Sequence, residues 1–102
     1  MTNAQNIRTI IAQLMKEKWK LEPALKEAEK QNRRAYEEVV DWEEVYMASG
    51  ENEEIGQKLD KAYDEYNKVN EAMCKIEKQV EAIKEALEAL RKTADTIEWL
   101  GL

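Results

Sequence analysis

Apolar residues return at alternating intervals of three and four along almost the whole chain. The first run is Ile7, Ile11, Leu14, Lys18, Leu21, Leu25, Ala28, Asn32, Ala35, Val39, Trp42 and Tyr46. The second is Ile55, Leu59, Ala62, Tyr66, Val69, Met73, Ile76, Val80, Ile83, Leu87, Leu90, Ala94 and Ile97. Only Lys18 is charged among these positions. A 3-4 spacing held over about six heptads is the pattern of helices packed along a coiled-coil seam.

The runs are separated by Ser49, Gly50, Glu51 and Asn52. Gly50 suits the left-handed residue that ends a helix. Asn52 suits the cap of the next helix, with Glu53 and Glu54 in its first turn. So short a connection makes the helices antiparallel neighbours. Folding there sets Tyr46 against Ile55, Trp42 against Leu59, Val39 against Ala62 and Ala35 against Tyr66. The pairing continues through Asn32 with Val69, Ala28 with Met73 and Leu21 with Val80, to Ile7 with Ala94. The two numbers add to 101 in every pair. Small residues face large ones, as with Ala28 and Met73, so the layers can fill without strain.

The predicted fold is therefore all-α, a long antiparallel two-helix hairpin forming one domain over 1–102. Helix 1 spans about 4–48, the turn 49–52, and helix 2 about 53–98. At ~1.5 Å per residue, each arm extends roughly 60–70 Å. Pro23 falls on the face turned away from the seam. It lacks an N–H and crowds the preceding turn, so a kink near 23 is expected; the alternative is a break giving three helices. Asn32 in the seam is a register-setting residue, and Lys18 can lead its amine out to water.

Composition supports this architecture and narrows the function. Among 102 residues there are 3 glycines and 1 proline, few of the breakers a sheet needs. Charged residues make up 37% and the net charge is −6. Nucleic acid is not an expected ligand of so acidic a chain. With no histidine and only Cys74, paired-thiol and Cys/His zinc sites are excluded. The seam bears no carboxylate for an oxygen-ligated metal, and neither an EF-hand spacing nor a glycine-rich phosphate loop occurs. Cys74 has no activating neighbour in sequence, and a hairpin offers no obvious pocket for acid–base catalysis. The expectation is a non-enzymatic protein without metal or cofactor. Apolar runs are too short for a signal peptide or membrane span, and a single thiol fits a reducing compartment. The chain is expected to be cytoplasmic, or exported without a cleaved signal.

Two helices cover one seam, which leaves a hairpin marginal and in need of further burial. One flank carries Met15, Trp19, Tyr36, Val40, Met47, Tyr63 and Cys74. Met15, Trp19, Tyr36, Val40, Met47 and Tyr63 are the candidate partner-binding residues. The other flank is smoother, with Ile10, Ala24, Val45, Ala48, Ala72, Ala82, Ala86 and Ala89. Association into a four-helix bundle, with a second copy or another helical protein, is the simplest way to cover them. Glu37, Glu38, Asp41, Glu43, Glu44, Glu51, Glu53 and Glu54 form an acidic stretch with no Lys or Arg inside it. That stretch is a solvated helix end or a docking surface for a basic partner.

In length and predicted shape the chain resembles the small WXG-motif proteins of type VII secretion and their accessory relatives. The resemblance covers the whole chain as a helical hairpin. It implies pairing side by side into a four-helix bundle and an accessory, secretion-related role. The family's Trp-x-Gly turn is replaced here by Met47-Ala48-Ser49-Gly50-Glu51, while Trp99-Leu100-Gly101 lies near the C-terminus. The family's Tyr-x-x-x-Asp/Glu signal is absent, since no Tyr follows Tyr66. The functional expectation is an adaptor or chaperone-like partner acting as a dimer or in a heteromeric bundle. The alternatives are a structural subunit of a larger assembly and an acidic inhibitor of a basic protein surface.

Overall fold

A computed structural model of the chain describes residues 2–102. It contains two long helices, α1 (Asn3–Ala48) and α2 (Glu53–Leu100), and no strand among the described residues. They form the antiparallel hairpin that the seam predicts. Partners on α2 descend in number as those on α1 rise. Arg8 meets Asp95 and Glu98, Met15 meets Arg91, Asn32 meets Asn70, Tyr36 meets Tyr66, and Tyr46 lies over Gly56.

Each helix end is closed by its own chemistry. Thr2 and Gln5 form a reciprocal capping box at the start of α1: Gln5 N donates to Thr2 Oγ1 at 3.1 Å, and Thr2 N donates to Gln5 Oε1 at 2.8 Å. At the other end of α1, Glu51 N donates to Tyr46 O at 3.1 Å and Gly50 N to Met47 O at 3.3 Å. This is a Schellman motif, with Gly50 at φ 72°. Glu51 follows it at φ 64°, a left-handed angle that only a residue without a Cβ adopts freely. The Ser49 hydroxyl donates to Tyr46 O and accepts from Asn52 N. Asn52 Oδ1 accepts from Glu54 N and Ile55 N, at 2.9 and 3.2 Å, and caps α2. Gly101, at φ 73°, repeats the Schellman closure after α2.

The contacts divide into two compact units. Unit one comprises Met1–Ala24 and Ile76–Leu102; unit two comprises Leu25–Lys75. In unit one the buried residues are Ala4, Ile11, Val80, Leu87 and Ala94, and Ala94 has no exposed surface at all. Ala4 continues the seam one step before Ile7, a position absent from the predicted run. Lys18 is half-buried and sends its amine to Glu22 at 3.8 Å, at the edge of the seam. α1 continues through Pro23, so the three-helix alternative is not what forms. Pro23 is exposed, and its missing N–H leaves the Trp19 carbonyl without its usual helical donor.

In unit two the buried residues are Ala28, Ala35, Val39 and Ala62. Trp42, Tyr46, Leu59, Tyr66, Val69 and Met73 are half-buried around them. Asn32 Nδ2 donates to Asn70 Oδ1 at 3.2 Å, so the seam's one amide is satisfied. Gly56 leaves room for the Tyr46 ring, since a Cβ there would stand 3.2 Å from the ring edge. The Tyr36 and Tyr66 rings lie 6.0 Å apart and tilted by 54°, a favourable aromatic geometry.

Candidate interaction surfaces

In unit one, Met15 and Trp19 border a groove of about 440 Å³, with Leu87 among its lining residues. They follow one another by one helical turn on α1, which brings both to the same flank. Met15 is half-buried, whereas Trp19 is 57% exposed. The groove also holds Lys18, Lys84, Arg91 and Lys92, against Glu88 and Asp95. Those two carboxylates are engaged: Lys92 reaches Glu88 at 3.2 Å and Arg8 reaches Asp95 at 3.1 Å. Among the described residues, Lys84 and Arg91 have no carboxylate in ion-pair range. Arg91 Nη2 lies 3.7 Å from the Met15 sulfur.

On the same unit, Arg8 Nε donates to Glu98 Oε1 at 2.8 Å. That bond and the nearby Asp95 raise the guanidinium's pKa further, and the bond from Arg8 holds the Glu98 carboxyl below its ordinary value. On the other flank Leu14, Leu21, Ala82 and Ile83 line a shallower, more apolar depression. Trp99, Leu100 and Leu102 are all well exposed.

In unit two, Tyr36 is 55% and Met47 78% exposed, Tyr63 is exposed, and Val40 is half-buried. Seven of the eight acidic-stretch residues are exposed: Glu37, Glu38, Asp41, Glu44, Glu51, Glu53 and Glu54. Glu43 is the exception. It is half-buried and accepts a hydrogen bond from the Tyr63 hydroxyl, which raises that phenol's pKa. Glu43 and Tyr63 thus belong to one cross-helix contact. None of the eight carboxylates takes part in an ion pair among the described residues. Beside them the Lys58 amine stands over the Trp42 ring, 5.3 Å from its centre.

Asn70 and Gly56 are among the participants that sequence spacing did not single out, as are Lys84 and Arg91 of the groove. Asn70 and Gly56 each matter because of the residue opposite, and that partner is known only once the register is known. Cys74 is half-buried and free. No group of three or more metal-binding side chains gathers among the described residues, and no helix is long and apolar enough to cross a membrane. No family model, curated protein or solved structure matches the chain.

Proposed function

We propose that the chain is a non-enzymatic protein-interaction module: an adaptor or chaperone-like accessory that works as a dimer or within a heteromeric helical bundle. The observation that carries this reading is the surface the hairpin leaves uncovered. Large apolar side chains stay exposed in each unit, including Trp19 in unit one and Tyr36 and Met47 in unit two. Aromatic and methionine side chains are the types enriched where proteins meet. An adaptor needs no reacting group of its own, which suits a surface of apolar anchors among charges.

A photo-crosslinking amino acid placed at position 19 or 47 in cells tests this. The exposed positions Lys30 and Glu85, on the faces turned away from the seam, serve as controls. Protein adducts, to itself or to another chain, are expected at 19 and 47 well above the controls. Equal labelling at all four positions counts against the proposal.

A further inference from the structure

The formal charge is divided between the two units in an unequal way. Unit two holds 14 acidic and 8 basic side chains, which accounts for the whole net charge of −6. Unit one holds 8 of each and is neutral. Within that neutral unit, the groove beside Trp19 concentrates cations, and its two unpaired charges, Lys84 and Arg91, are both positive. Within the acidic unit, the carboxylates of 37–54 are unpaired and neighbour the exposed Tyr36 and Met47. Each surface thus presents charges outside ion-pair range, mainly of one sign, next to a large apolar side chain.

We infer that the Trp19 groove of unit one receives the acidic stretch of unit two from a second copy of this chain. The inference rests on the interaction role proposed above and names the partner. Charge chooses the pairing. Two acidic units brought together would repel, and two cationic grooves would leave Lys84 and Arg91 facing like charge. Acidic stretch on groove gives opposite charges in register with apolar anchors on both sides. The Trp19 ring, Met15 and the aliphatic stems of Lys84 and Arg91 then cover Tyr36, Val40 or Met47 of the other copy. Removing those charges from water strengthens their attraction, and added salt weakens it.

Two charge-reversed chains test the arrangement. One carries Lys84→Glu and Arg91→Glu; the other carries Glu37→Lys, Asp41→Lys and Glu44→Lys. All five positions are exposed and outside the seam. Light scattering at low ionic strength should show the wild-type chain self-associating, with dissociation at high salt. Each variant alone should associate about tenfold more weakly or less, while an equimolar mixture recovers a complex, because each reversed surface then meets its opposite. Far-UV circular dichroism confirms that both variants fold. If either does not, the neutral pair Lys84→Gln and Arg91→Gln, with a salt titration of the wild type, gives the same discrimination. A wild-type chain that stays monomeric at low salt overturns the inference, as does self-association indifferent to salt and to both reversals. A monomer that still crosslinks to another protein through position 19 or 47 removes only this inference and leaves the interaction role in place.

Discussion

Asn32 and Asn70 join the two helices by a single amide–amide hydrogen bond, 3.2 Å from Nδ2 to Oδ1, in a part-buried layer of a mostly apolar seam. A partly buried amide costs free energy when its partner is missing, so a shifted register that separates the two is disfavoured. A double-mutant cycle with Asn32→Ala and Asn70→Ala, followed by urea denaturation, should give a coupling of about 0.5–1.5 kcal/mol. Additive single effects would mean that this bond contributes nothing to holding the register.

The turn makes opposite predictions at adjacent residues. Gly50 sits at φ 72° as the left-handed cap, so Gly50→Ala should destabilise by about 1 kcal/mol. Glu51 adopts φ 64° in spite of its Cβ, so Glu51→Gly should stabilise by ~0.5–1 kcal/mol. Denaturation midpoints that move in the same direction would contradict this account of the turn.

Pro23 lies inside α1, exposed and clear of the seam. Replacing it with alanine restores one helical donor and relieves the ring's clash with the preceding turn. Pro23→Ala should stabilise the chain by about 3 kcal/mol. A lower thermal midpoint would show that the proline answers some constraint other than helix formation.

Burial ranks the leucines. Leu87 is 4% exposed and Leu100 is 53% exposed. Leu87→Ala should cost about 2–5 kcal/mol, and Leu100→Ala less than about 0.5 kcal/mol. Comparable losses at the two sites would place the core elsewhere.

The ion pair near the chain termini gives a pH dependence whose sign is set by Glu98. Its folded pKa lies below the ordinary carboxyl value because Arg8 donates to it. Its stabilising contribution is therefore present above the unfolded pKa and disappears as pH falls through the folded one. The difference in thermal midpoint between wild type and Glu98→Gln should be positive at neutral pH and shrink toward zero in acid. Tyr63 runs the other way: its pKa is raised by Glu43, so its contribution holds below pH 10.0 and is lost as the phenol ionises.

The hairpin was legible because its seam is long and regular. All 25 seam positions named from spacing are buried or half-buried, from Ile7 to Tyr46 and from Ile55 to Ile97. Gly50 and Asn52 take the capping roles that their chemistry suggests. Ala4 escaped notice because one alanine before the first isoleucine carries little hydrophobic signal. The Thr2–Gln5 box escaped because such pairs matter only where a helix is known to start. Asn70 and Gly56 are ordinary in sequence and acquire meaning only opposite Asn32 and Tyr46. The acidic stretch was visible as a run of letters. The division of net charge between the units depends on which distant segments pack together, and local sequence does not record that.

The seam numbers have a kinetic consequence. Tyr46 and Ile55 are nine residues apart in the chain, whereas Ile7 and Ala94 are eighty-seven apart. Closing the first contact therefore costs the least entropy, and each later layer closes only a small extra loop once its neighbour has formed. The expected order of folding is a zipper that starts at the capped turn. Stopped-flow refolding should then show that Gly50→Ala slows folding, whereas Leu87→Ala chiefly speeds unfolding. On that order the four residues from Ser49 to Asn52 are the expected nucleation site, and the seam beyond them sets the sequence in which the helices should join.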